Sequence, residues 1–287
     1  MYNDSQRGKM SLGIVFKGPE GIVLAADSRV TLTAQLPQPT GQNLILPATF
    51  DNATKLLKVK GQDFVGAVTY GAGAIGQTAP RTAHSFIPEF EAKLNQETSE
   101  RLSVADFANK LSEFFMAQWV ANMPSIYSGP EMVFLVGGFD QDVPYGRVFE
   151  IAIPTRPSPK EWHADPGMFG PVWGGQREFT DRLIQGFDPN LFQIAKTTLC
   201  LSDEQINTLR NALSPLSVQI PYQFLPLQDC VDLSIFLIRT TMTIQTWQIG
   251  IRGVGGAIDL ATITRTDGYK PIQQKKVKGE TIKREVD

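Results

Sequence analysis

Two apolar runs near the amino terminus constrain this chain most. Leu12-Gly13-Ile14-Val15-Phe16 and Ile22-Val23-Leu24-Ala25-Ala26 are unbroken by charge, and between them stand only Lys17 and the turn-forming Gly18-Pro19-Glu20-Gly21. A strand with one wet face alternates apolar and polar residues, whereas one covered on both faces does not. The pair therefore reads as a β-hairpin buried on both sides. The chain can supply such cover: 287 residues that are 42% hydrophobic and 20% charged bury a substantial core and exclude wholesale disorder.

The remaining elements come in blocks. A second hairpin spans 55–59 and 64–69 about the turn Lys60-Gly61-Gln62-Asp63. Between the two hairpins, residues 31–54 are polar and carry prolines, and are expected to form a long surface excursion. A helix is expected over 78–95, where Phe86, Phe90 and Leu94 make one apolar stripe. Another opens at Ser103, an N-cap with Asp106 three residues on, puts Phe107, Leu111, Phe114, Phe115 and Trp119 on one side, and ends before Pro124. A third hairpin (132–139 and 147–153) follows, then helices over 176–187, 203–213 and 228–243, and a closing hairpin from 257–264 through Asp267-Gly268 to Tyr269. Residues 188–227 read as a less regular insertion, and 273–287 as a charged, frayed tail. Blocks of strands and helices argue against a doubly wound parallel sheet. Two antiparallel sheets, each shielded outside by a helix pair, satisfy both patterns. The expected fold is thus α+β, a four-layer α-β-β-α sandwich forming a single domain with its core over about 9–270.

Charge and rare residues narrow the function. The net charge of −2, from 27 basic and 29 acidic residues, removes the electrostatic case for a nucleic-acid or membrane-surface binder. No apolar run approaches the ~20 residues of a membrane helix, and the first ten residues lack the apolar segment of a secretory signal. Two cysteines (Cys200, Cys230) and two histidines (His84, His163) are too few for a disulfide framework or a Cys/His zinc site. The chain is expected to be soluble and cytoplasmic, with no metal and no cofactor. No Walker or dinucleotide pattern is complete. His163 reads as a solvated loop histidine, and Gly71 and Gly73 as residues that permit close strand–helix packing.

Four segments carry a resemblance. Gly13-Ile14-Val15-Phe16-Lys17 with Gly21-Ile22-Val23-Leu24-Ala25-Ala26-Asp27-Ser28-Arg29-Val30-Thr31 closely resembles the opening of proteasome β-type subunits. Lys55-Leu56 looks like the segment bearing that family's essential lysine, Leu135-Val136-Gly137-Gly138-Phe139-Asp140 like its central strand, and residues 255–269 like its closing hairpin. The matches occur in the family's order over about residues 8–269. The resemblance implies an N-terminal-nucleophile hydrolase fold, the same sandwich, and threonine-type peptidase chemistry in which the α-amino group of the first residue is the general base. It implies that Asp27 lies beside the nucleophile with Arg29 in the same motif. It also implies that Lys55 lowers the nucleophile's proton affinity and that the Gly71 N–H stabilises an oxyanion. Partners would be copies of the chain or related subunits in a ring, and the substrate a polypeptide.

The chain departs from that pattern at the nucleophile. Alignment on Gly13 puts Lys9, directly after Gly8, where the family has its threonine, and lysine has no hydroxyl for attack or for the N-to-O acyl shift. A start at Met10 would instead expose Ser11, which keeps a family-like spacing to Asp27 because the hairpin turn is about two residues longer. Hairpin register favours Lys9. Val172-Trp173-Gly174-Gly175-Gln176 lacks the family's serine before the third helix, and Ile251-Arg252-Gly253-Val254 replaces its aspartate and serine. These losses go together, and the leading expectation is a catalytically degenerate subunit. The alternatives are an active peptidase or amidase using Ser11, and a binding module that keeps the inter-sheet cleft with residues 31–54 as its specificity loop. Without the resemblance, Asp27 is a strand-end carboxylate paired with Arg29 or Lys55, fixing geometry and performing no chemistry.

Overall fold

In the computed structural model, which describes residues 10–37, 43–77, 79–98 and 100–279, the opening hairpin is β1 (Leu12–Lys17) and β2 (Ile22–Asp27). They pair antiparallel with Gly13 opposite Ala26, and every residue of both strands is buried. The missing polar alternation has a direct cause. Leu12, Ile14, Phe16, Val23 and Ala25 belong to one apolar cluster, and Val15, Ile22, Leu24 and Ala26 to another. Each face of the hairpin has its own core.

The described part of the expected excursion, residues 31–37 and 43–54, is mostly regular strand. It holds β3 (Val30–Pro37) and β4 (Asn43–Phe50), paired antiparallel from Val30 opposite Phe50 to Pro37 opposite Asn43 as a separate two-stranded sheet. Thr31-Leu32-Thr33-Ala34-Gln35-Leu36 has the period of a strand, and Pro37 and Pro47 are tolerated because a two-stranded sheet consists of edges. Next come β5 (Leu56–Leu57) and β6 (Val65–Gly71), a short 3₁₀ turn at Ala83–Phe86, and α1 (Ile87–Glu97). This helix starts well after residue 78 because Pro88 lacks an amide hydrogen and fits only the first turn. The following helix, α2 (Val104–Asn122), opens where the N-cap places it: the Asp106 N–H donates to Ser103 Oγ at 3.0 Å, and the stripe Phe107, Leu111, Phe114, Phe115 and Trp119 is buried.

Strands β7 (Met132–Gly138) and β8 (Arg147–Ile153) form the third hairpin, and two strands follow that sequence reading omits, β9 (Arg156–Trp162) and β10 (Gly170–Gly175). Pro157 and Pro159 mask β9, which survives them as an edge strand, and β10 carries three glycines in six residues. Helix α3 (Glu178–Gln185) closes on Gly186 at φ +81°, and α4 (Asn190–Thr198) and α5 (Asp203–Leu213) make the insertion more regular than expected. The long α6 (Leu227–Gln245) precedes β11 (Ile258–Thr264) and β12 (Gly268–Gln273). The start of the tail is tied down: the Lys275 N–H donates to Asp259 Oδ1 at 3.0 Å, and its amine pairs with the same carboxylate.

The strands assemble into two five-stranded sheets, β10-β1-β2-β11-β12 and β5-β6-β7-β8-β9, in which every pairing is antiparallel. The chain is mixed α and β with several antiparallel sheets. One core joins α1 and α2 to the second sheet through Phe90, Phe107, Phe115 and Phe134, a second lies where β1 and β2 meet β6 and β7, and a third joins α6 to the first sheet. No helix among the described residues is long and apolar enough to cross a membrane.

Candidate functional site

Asp27 ends β2 with no exposure to solvent, and its carboxylate receives four donors. Oδ1 accepts from Lys55 Nζ at 2.7 Å and from the Leu12 N–H at 3.0 Å; Oδ2 accepts from the Arg29 N–H at 3.1 Å and the Gly255 N–H at 2.9 Å. Lys55 arrives just ahead of β5 and is itself buried. Burial pushes its pKa down, against the attraction and hydrogen bond of Asp27. The expected pair of Asp27 and Lys55 is therefore formed. One carboxylate holds the head of β1, the end of β2, the loop before β11 and the lysine together.

Arg29 does not give its guanidinium to Asp27. Nε and Nη2 make a bidentate pair with Asp51 at 2.5 and 2.7 Å, while Nη1 donates to the Arg252 carbonyl at 3.1 Å. Gly255 makes room for it, since a Cβ there would lie 2.4 Å from Arg29 Cζ. Neither Asp51 nor Gly255 is singled out by the sequence. The carboxylate falls in the stretch read as an excursion, and the glycine within a hairpin signature that assigns it no role. Hydrogen bonding to Arg29 holds the Asp51 carboxyl below the usual aspartate range. A carboxyl whose folded pKa is depressed contributes stability above its ordinary value and loses it as pH falls through the lowered one. Asp51→Asn should therefore flatten the loss of thermal stability below about pH 4, read as melting temperature against pH, and leave the neutral limb parallel to that of the unmodified chain.

Ser11 is 4% exposed at φ +76°. Its hydroxyl donates to the Arg29 carbonyl at 3.3 Å, its N–H donates to the Gly253 carbonyl at 2.9 Å, and its carbonyl accepts from the Gln176 N–H at 2.7 Å. Ser11, Lys55 and Gly71 line one recess of about 20 Å³, room for about one water. Gly71 stands at φ +88° at the end of β6, opposite Met132. Thr69 also lines the recess, and its buried hydroxyl has no partner among the described residues. Sequence reading passes over it because one threonine within an apolar strand carries no signal. Lys9 and Gly8 lie outside the described residues.

The two departures from the family pattern act through backbone. Residues 172–175 are not a turn but the end of β10, where Gly174 admits the Tyr70 ring and the N–H of the following Gln176 donates to the Ser11 carbonyl. In 251–254, the Arg252 and Gly253 carbonyls hold Arg29 and Ser11. His163 is not a solvated loop residue. It is half-buried at φ +52°, its Nε2 has no partner among the described residues, and its carbonyl accepts from the buried Lys17 amine at 2.8 Å. Among the described residues no three His, Cys, Asp or Glu side chains are grouped to hold a metal ion, and Cys200 and Cys230 are both free. Chemically, the recess offers a cation and backbone amides beside the hydroxyl-bearing side chains of Ser11, Thr54, Thr69, Tyr70 and Thr82. The Lys55 amine donates to Asp27 and to no hydroxyl among the described residues. No family model matches the chain, and no curated protein matches it.

Proposed function

We propose that this chain is a proteasome-β-like subunit with an N-terminal-nucleophile hydrolase fold, which assembles in a ring for intracellular proteolysis without cleaving peptide bonds itself. The observation that carries this reading is the Asp27–Lys55 pair, buried at the head of the inner hairpin beside a recess that Ser11 and Gly71 line. Three stacked cores, helix to sheet, sheet to sheet and sheet to helix, support reading the fold as the four-layer α-β-β-α sandwich. The lysine of such a pair, held in place by the aspartate, lowers by its positive charge the proton affinity of a hydroxyl beside it. Register from Gly13 assigns that place to Lys9, whose side chain is an ammonium at neutral pH with no oxygen to activate.

Ser11 supports a second reading because it lines the same recess. Against it, the hydroxyl is spent on a carbonyl and the N–H on another. Amino-terminal sequencing, electron micrographs of the native assembly and treatment with a peptide epoxyketone separate the two. A ring whose subunits begin at or before Lys9 and form no adduct is the expected result. A monomer without partner chains overturns the subunit reading. A chain beginning at Ser11 that forms an adduct, and loses it in Ser11→Ala, overturns the idle site in favour of an active peptidase.

A further inference from the structure

A second cavity, of about 510 Å³, opens between β10 of the first sheet and β6, β8 and β9 of the second. That volume lies within the range of small-ligand sites. Tyr70, Trp162 and Trp173 line it, and so do four charged side chains, Glu131, Glu150, Arg156 and Arg177. Their hydrogen bonds leave an unequal remainder. Glu150 has a donor on each oxygen, Oε1 accepting from Arg156 Nη2 at 2.6 Å and Oε2 from the Trp162 indole N–H at 2.9 Å. The buried Asp181 fixes the opposite wall, accepting from Trp173 Nε1 at 2.9 Å and Arg177 Nε at 2.7 Å. Among the described residues, both Nη groups of Arg177, whose guanidinium lies over the Trp173 ring at 5.7 Å, and the Nε and Nη1 of Arg156 then have no hydrogen-bond partner. One acceptor is also left over: Glu131 takes the Thr155 hydroxyl on Oε1 only. Burial and the Glu150 carboxylate push the Tyr70 hydroxyl up, so it remains a neutral donor.

We propose that this cavity binds an N-acylated aromatic amino-acid unit. The free guanidinium donors of Arg177 and Arg156 take its carboxylate, Glu131 takes its N–H, and its ring packs among Tyr70, Trp162 and Trp173. Arginine forks match a carboxylate in charge and geometry, and aromatic walls suit a planar side chain. The same chemistry is presented by a free N-acyl amino acid and by the carboxyl end of a peptide.

The test is titration of the full-length chain, followed by tryptophan fluorescence and calorimetry. The probes are N-acetyl-phenylalanine, its carboxamide, and the peptide Ala-Ala-Ala-Phe with a free or amidated end. Both acids should bind, with the amides at least about tenfold weaker. Arg177→Gln should weaken the acids by about tenfold and leave the amides unchanged. If that variant melts early because Asp181 loses a partner, Arg156→Gln serves in its place, and the acid-against-amide comparison needs no variant. Tighter binding of the peptide acid assigns the site to peptide termini; equal or weaker binding assigns it to free acids. Equal affinity for acid and amide, or no saturable binding of either acid, overturns the proposal.

Discussion

Replacing Lys55 with methionine is expected to lower the unfolding free energy by about 3–5 kcal/mol. Methionine keeps most of the side-chain volume, so packing is little disturbed and the loss is electrostatic. Asp27 would stay in place with no solvent exposure, keeping three backbone N–H donors and losing the one cation that bonds it among the described residues. Removing one partner of a buried pair leaves an uncompensated charge, which costs far more than the net worth of the pair. The double variant Lys55→Met/Asp27→Asn should therefore cost less than the two single changes added together, by about 0.5–3 kcal/mol. It should not reach neutrality, because an asparagine NH₂ must face one of the backbone donors. Urea denaturation of the four chains measures the cycle. A cost below about 1 kcal/mol for Lys55→Met would show that water reaches Asp27 and that the pair behaves like a surface bridge.

The same pair shows what a sequence can and cannot reveal about such a site. The β1–β2 hairpin was legible because burial on both faces removes every polar residue from a strand, a signal no loop produces. The α2 start was legible because Ser103 and Asp106 specify a cap by local chemistry. The β3–β4 sheet and the edge strand β9 were not, since proline reads as a breaker whenever the reader cannot know that a strand lies at an edge. Asp27 and Lys55 are 28 residues apart, and the residues alone leave Lys55 and Arg29 as equal candidates for the carboxylate, because nothing local to Asp27 distinguishes a distant cation from a near one. Of the two cations the sequence offers Asp27, the structure gives it Lys55, while Arg29 pairs with Asp51, which lies in a stretch whose prolines hide its strand character. The backbone donors and acceptors from residues 252–255 leave no trace in composition or periodicity, because any residue carries them.

Gly71→Ala should destabilise the chain by about 2–5 kcal/mol, and the cause can be separated from ordinary backbone strain by a second glycine. Gly71 stands at φ +88°, and a Cβ built on it would lie 2.0 Å from the Glu131 carbonyl oxygen. The left-handed backbone accounts for about 1–2 kcal/mol. Relieving the clash adds about 1–3 kcal/mol, because the obstructing atom is main chain and no rotamer can swing it away. Gly61 has nearly the same backbone, φ +83°, but a Cβ there meets nothing within 4 Å. Gly61→Ala should show the backbone cost alone, about 1–2 kcal/mol, so the difference between the two midpoints reports the clash. Yielding at Gly71 means parting the ends of β6 and β7, where Ala72 N–H bonds the Glu131 carbonyl at 2.7 Å. That displacement carries Tyr70 and Glu131 with it, and Tyr70 and Gly71 line both the recess over Lys55 and the larger cavity. Gly71→Ala should accordingly abolish binding of N-acetyl-phenylalanine at a temperature where the chain is still folded, whereas Gly61→Ala should leave it intact. Equal midpoints for the two variants would mean that the ends of β6 and β7 are free to yield, and that neither chamber is held to shape by this glycine.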